Sequence, residues 1–272
     1  MSAGTAVKRE KTGNGKPATS AGVTGTLAVL DLLAARSPLS LAELSRELGI
    51  AKSTLHRICA VLVERGWAVR DHDGHFDLGI RALRLGSASS ELPIVLAFRT
   101  VAAEFLTRHD ETIALAVLDG GESIYVALEE TSQPVRLATH VGSTTPAFAS
   151  ASGRVVLASH SEESVAALFG GKLLLTPTGR RLNGVAELHS ILAEVRERGY
   201  AENIEETAEG LYAASVPIIN GERATLGALT VLVPISRITP ERRSTILRDL
   251  IALGGTLSDS VSWLPSFVAR QA

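Results

Sequence analysis

The chain reads as an α+β protein in two modules. Three observations predict this. A Ser40/Glu43 pair spaced S-x-x-E opens a short amphipathic run, which is closed by Gly49. A second amphipathic run begins almost immediately at Lys52. After Asp110 the texture changes to short β-like runs joined by Gly-containing turns and interleaved with helical stretches.

At the front, residues 1–21 are rich in small and polar groups and carry Lys8, Arg9, Lys11 and Lys16. They hold too little apolar surface to offset the entropy of ordering, so a disordered basic arm is expected. A first helix is expected over residues 25–35, with Leu27, Leu30 and Ala34 on one face. Pro38 breaks it. Ser40 and Glu43 then form a capping box, with Leu39 and Leu44 placed as a hydrophobic staple. Leu41, Leu44 and Leu48 give this second helix one apolar stripe, and Gly49 stops it. In the third helix Leu55, Ile58, Cys59 and Leu62 fall at i, i+3, i+4 and i+7, which marks a buried stripe. Gly66 ends it. Trp67 and Val69 face Phe76 and Leu78 across Asp71-His72-Asp73-Gly74, a β-hairpin pattern.

Helix, short turn, amphipathic helix and hairpin together make a winged helix-turn-helix over residues 22–79. Its second helix suits the major groove of DNA, with base-reading residues near its N-terminus. Lys52, Ser53, Thr54, His56 and Arg57 are the candidates there, and Arg70 is the candidate phosphate or minor-groove contact on the wing. Double-stranded operator DNA is the expected partner. The stretch 71–75 holds two histidines among carboxylates, but Asp-Gly turn chemistry explains it better than a metal site. Cys59 lies on the buried stripe and reads as a small core residue.

Charge supports the division. Residues 1–86 hold 12 Lys/Arg against 8 Asp/Glu, and residues 87–272 hold 15 against 21, a mildly basic front and an acidic back. A single cysteine excludes an internal disulfide framework and fits a reducing cytoplasm. No apolar run approaches the ~18 residues of a spanning helix, and no signal peptide is visible, so a cytoplasmic protein without membrane contact is expected.

Behind the hairpin, a linker helix is expected over residues 80–91 and a second domain over residues 92–272. Its helices are expected at 93–107, 152–159, 162–169, 185–198 and from Pro240 to about 264. Its strands are expected at 112–118, 123–128, 211–219 and 225–233. Catalytic motifs are missing from this region. There is no G-x-S-x-G or H-E-x-x-H, and Gly170-Gly171-Lys172 lacks the rest of a Walker A loop. Glu202, Glu205 and Glu206 read as a charged loop, so no enzyme and no cofactor are expected. An enzyme in the second domain, or a protein-interaction adaptor built on the winged helix, stand as the alternatives.

These residues resemble the IclR family of bacterial transcriptional regulators from about residue 23 to 264. The front signature is LAELSRELGI at 41–50, KSTLHR at 52–57, ERGW at 64–67 and FDLG at 76–79. The back signature is GSTTP at 142–146, ASG at 151–153, VRERGYA at 195–201, Glu205-Glu206, Val216-Pro217 and GAL at 227–229. The resemblance implies a GAF-like effector-binding domain behind the winged helix. It also implies a homo-oligomer, a dimer or dimer of dimers, that represses or activates transcription under control of a small organic acid. By the family pattern the effector pocket is lined by Thr145, Ala151, Ser152, Gly153, Asn203, Leu211, Ala213 and Thr230. The small residues before the helix at 152, with its free N–H groups, would accept a carboxylate. Four positions depart from the family: Ala213 where Cys is common, Asn203 where an acid is common, Leu232 for Ser and Phe148 for His. They imply a less polar, roomier pocket and an aromatic acid as effector.

Overall fold

The computed structural model describes residues 18–89 and 91–265, side chains from Gly22 onward, as two compact units divided between Ser89 and Ser90. The basic arm lies outside the described residues up to Pro17. Its last four residues belong instead to the first helix, α1, which spans Ala18–Arg36.

In the first unit α1 is followed by α2 (Leu41–Leu48) and α3 (Lys52–Glu64). The strands β1 (Ala68–Arg70) and β2 (Phe76–Leu78) and the helix α4 (Ile80–Ser89) complete it. The capping box is present in full: Ser40 Oγ accepts from the Glu43 N–H, and the Glu43 carboxylate accepts from the Ser40 N–H at 2.8 Å. Those bonds hold the Glu43 carboxyl below the usual carboxylate range, the Ser40 hydroxyl contributing most. Gly49 closes α2 in the left-handed conformation, φ 64°.

The predicted face of α1 is corrected. Leu27 and Ala34 are exposed, whereas Gly25, Val29 and Leu33 are buried. Apolar residues ring this helix, so their spacing alone does not single out a face. Gly25 decides it, because a Cβ there would meet Ile58 Cδ1 at 3.1 Å of α3.

The core of this unit joins Val29, Leu33, Leu39, Leu44, Leu55, Ile58, Cys59, Leu62, Ala68 and Phe76. Each large apolar side chain buried there contributes roughly 1.5–3 kcal/mol. The β1–β2 hairpin is antiparallel, with Val69 opposite Asp77. Leu39 adds a third rung, exchanging both backbone hydrogen bonds with Phe76 at 2.9 and 2.8 Å.

The second unit is built on a six-stranded antiparallel sheet of order β5-β4-β3-β8-β7-β6. Its strands are β3 (Thr112–Asp119), β4 (Glu122–Glu129), β5 (Thr144–Pro146), β6 (Ala201–Ile204), β7 (Leu211–Ile219) and β8 (Thr225–Pro234). Sequence reading missed β5 and β6, the two edge strands. Pro146 ends one, and Glu202 and Asn203 interrupt the apolar pattern of the other.

Alternate residues of the central strands feed two cores. Ile113, Leu115, Tyr212, Ala214, Leu229 and Val231 meet α5 (Pro93–His109) and α9 (Pro240–Ser260). Ala114, Ala116, Ala213, Ala228 and Leu232 face the side of α6 (Ala151–Leu157), α7 (Glu162–Phe169) and α8 (Gly184–Arg198). A buried carboxylate ties the ends together: Glu111 is gripped by Arg237 and by Arg242, at 2.5 and 2.8 Å.

Two substitutions test this account. Ser40→Ala removes an N-cap and should cost about 1 kcal/mol in denaturant unfolding of the first unit. Gly153→Ala would place a Cβ 2.3 Å from the Ala147 backbone. It should destabilise the second unit by roughly 1–3 kcal/mol, read as a lower denaturation midpoint.

Candidate functional sites

The first site is the outer surface of α3. Leu55, Ile58, Cys59 and Leu62 are buried, so the helix cannot turn about its axis without exposing them. Lys52, Ser53, Thr54, His56 and Arg57 consequently all point to solvent. Five of the six predicted residues thus form one continuous polar surface over the first two turns. The position before them is Ala51, which supplies no side-chain cap, and the first turn has no acidic residue. A residue that sequence reading overlooked sets the angle of entry: Ser45 on α2 donates its hydroxyl to the Ile50 carbonyl at 2.7 Å, pinning the turn between α2 and α3. A hydroxyl five residues before a carbonyl has no local sequence signature.

Arg70 is separate from this group, on β1. Its guanidinium lies 5.5 Å from the centroid of Phe76 and packs beside Gly74 at the hairpin tip. The charge is thus carried on the wing, with its stem used for packing. Asp71 accepts from the backbone N–H groups of His75 and Asp73 at 2.8 and 3.0 Å, which holds its carboxyl below the ordinary range. Turn chemistry accounts for this stretch.

The second site lies around α6. Thr145 is on β5, Ala151, Ser152 and Gly153 are the first turn of α6, Asn203 is on β6, Leu211 and Ala213 are on β7, and Thr230 is on β8. Ala213 is the register partner of Asn203 and of Leu232. Ser123 faces Thr145 across β4–β5 and bonds Ser152 Oγ at 2.8 Å. All eight therefore gather on the α6 side of the sheet or its rim.

Most of their polar groups are already engaged. Asn203 donates its amide to the Ala149 carbonyl and accepts from the Glu206 N–H at 3.1 Å. Thr230 bonds Ser215 at 2.8 Å, and Ser150 Oγ takes the Gly153 N–H at 3.1 Å. That last bond, with burial of the whole first turn, corrects the expectation of free N–H groups awaiting a carboxylate. Thr145 is different: its Oγ1 is buried and has no hydrogen-bond partner among the described residues.

The expected extra room is not found at the two bulky departures. Phe148 and Leu232 are buried in the apolar cluster, and Phe148 packs edge-on against Phe169 at 5.9 Å. They fill the face because an aromatic and a branched side chain occupy volume that smaller family residues leave.

Sequence reading also missed a buried ion-pair network. Arg154 is buried on α6, donates to the Phe148 carbonyl and grips Glu206 with two bonds, at 3.0 and 2.6 Å. Arg180 adds a third contact to Glu206 at 2.9 Å. Glu202 is held by Arg243 and by the Tyr212 hydroxyl at 2.6 Å, and Glu205 accepts from the Gly210 N–H at 2.7 Å. Burial opposes the ionised form of Glu202, yet these partners outweigh it and lower its pKa. The three glutamates are thus structural partners.

A polar helix surface carried by an apolar three-helix core, with a hairpin beside it and a separate α+β unit following in the chain, defines a DNA-binding transcriptional regulator. The IclR helix-turn-helix domain matches residues 23–72, and the bacterial transcriptional regulator IclR C-terminal domain matches residues 86–259. The chain belongs to the IclR family of bacterial transcriptional regulators. It is 30% identical over 225 residues to the transcriptional repressor IclR of Escherichia coli K12, covering 81% of this chain and 82% of that one. A solved IclR regulator from Silicibacter sp. TM1040 superposes with a TM-score of 0.79 at 28% identity, covering 89% of this chain and 96% of that one. An IclR homologue of Microbacterium hydrocarbonoxydans, solved with 4-hydroxybenzoate, shares the fold with a TM-score of 0.71 at 22% identity, covering 88% of this chain and all of that one. Among the described residues no helix is long and apolar enough to cross a membrane.

Asn203 gives a test of the second site's architecture. Asn203→Ala leaves the Ala149 carbonyl and the Glu206 N–H without partners, and should cost about 1–3 kcal/mol in chemical denaturation. An unchanged midpoint would show that these bonds do not hold the loop before α6.

Proposed function

We propose that the chain binds operator DNA in a sequence-specific manner through α3 and that a small, weakly polar organic acid, an aromatic carboxylate, modulates that binding from the α6 side of the second unit. The observation that carries the DNA reading is the shared exposure of Lys52, Ser53, Thr54, His56 and Arg57 on a helix whose opposite face is buried. Arg57 suits a bidentate pair with guanine, Ser53 and Thr54 are short enough for close approach, and Lys52 and Arg70 suit phosphates.

Support for the effector reading is of two kinds. The Thr145 hydroxyl is a buried donor awaiting an acceptor, and Phe148, Ala213 and Leu232 give its surroundings an apolar character. The Microbacterium homologue holds an aromatic acid. Phe148 and Leu232 would have to shift to admit a ring, so binding would remodel this face and shift a population of states. The protein acts as a homo-oligomer on two half-sites about one DNA turn (~34 Å) apart. Exposed Ile80, Leu83 and Leu85 on α4 favour contact with a second copy. The domain limits follow the same reading: residues 22–79 as DNA-binding head, residues 80–91 as linker and residues 92–272 as effector domain.

Selection of bound fragments from random DNA should return a site with two related halves. On that site Arg57→Ala should lose about 1–3 kcal/mol, roughly 5- to 150-fold, and relax the preference at one base pair. Lys52→Ala should weaken selected and scrambled DNA alike, with a salt slope smaller by about 1. Retained affinity in both variants would move the contact surface away from α3. For the effector, a thermal-shift panel should show stabilisation by benzoate-type acids. Stabilisation by glyoxylate or pyruvate and by no aromatic acid would overturn that part.

A further inference from the structure

A cleft of about 640 Å³ runs between α1 and α3 and is lined by Gly22, Thr26, Thr54 and Arg57 together with Ile50 and Ile58. The start of α1 therefore opens onto the same space as two of the candidate DNA-reading residues. Two features make this placement firm. Gly25 lets α1 lie tight on Ile50 and Ile58, and the Thr26 hydroxyl donates to the Gly22 carbonyl at 2.8 Å, continuing the helix to its first turns. The chain upstream of α1 consequently enters the fold beside the exposed end of α3.

That upstream stretch is strongly one-signed. Residues 1–17 hold Lys8, Arg9, Lys11 and Lys16 against a single acid, Glu10. The first turns of α1 and of α3 have no acidic residue to compete for these cations. Reach is also sufficient. Lys16 is two residues from Ala18, and an extended chain spans at most ~3.6 Å per residue. Lys8, ten residues away, can therefore extend about one DNA turn, ~34 Å, beyond the end of α1.

We propose that residues 1–17 form a second DNA-contact element, in which Lys8, Arg9, Lys11 and Lys16 pair with phosphates flanking the groove that α3 occupies. This rests on the reading that α3 enters the major groove. The basic segment supplies affinity and salt dependence, since phosphate contacts position a protein and carry no sequence information themselves.

The test compares the full chain with two variants on a fragment selected by the full chain and on a scrambled fragment. One variant begins at Ala18 after an initiator Met. The other keeps full length and carries Lys8→Gln, Arg9→Gln, Lys11→Gln and Lys16→Gln. Affinity is measured across a salt series. Each lost phosphate contact should reduce the slope of log K against log salt by about 0.9, so up to about 3.6 per protomer, with at least a ten-fold loss of affinity at low salt. The ratio of selected to scrambled binding should hold. If the full chain discriminates between the fragments and both variants match its slope and affinity, the proposal is wrong while the α3 reading stands. If the full chain does not discriminate at all, the α3 reading itself falls.

Discussion

The DNA-facing unit depends on the two-sidedness of α3. Four apolar side chains of that helix are buried against the rest of its small core, and each resists exposure by a few times thermal energy. A rotation large enough to hide Arg57 would expose Leu55 or Ile58 and bury an unpaired guanidinium, which is costly on both counts. The polar surface is thus the necessary outward face of a helix fixed by its inward one. Ser45 and the capping box of α2 serve the same end by setting where α3 begins.

The second unit solves a different problem. Its antiparallel sheet is covered on both faces, and alternation along β3, β7 and β8 divides the strands between two cores. Charged groups are drawn in at the margins, where Glu111 and Arg154 are buried only because each has a bidentate partner. Such pairs are poor sources of net stability but costly to break, so they define which loop docks where. Glu206 carries this role for the α6 side: held by Arg154, Arg180 and Asn203, it connects the loop before α6 to the strand edge.

Local features were legible in the sequence and long-range ones were not. The capping box, Gly49 and the i, i+3, i+4, i+7 stripe of α3 are short-range patterns whose physics is complete within a dozen residues. The helix at 162–169 and the strand at 211–219 lie where their patterns place them. The face of α1 was misread because its apolar residues surround the helix and only the tight contact of Gly25 with α3 chooses among them. The pairing of Arg154 with Glu206 spans 52 positions and leaves no periodic trace. At the second site, the identities of Phe148 and Leu232 were correctly seen as apolar. Their volume was not converted into the right conclusion, since whether a large residue lines a void or fills it depends on neighbours such as Phe169.

The paired backbone bonds between Leu39 and Phe76 have a consequence for how this head meets a duplex. They weld the hairpin to the segment between α1 and α2, so the wing and the helix that follows share one frame and cannot be adjusted independently. A reader built as a single rigid die leaves accommodation to the duplex. Sites whose steps bend and whose grooves change width cheaply are then favoured at positions no side chain touches.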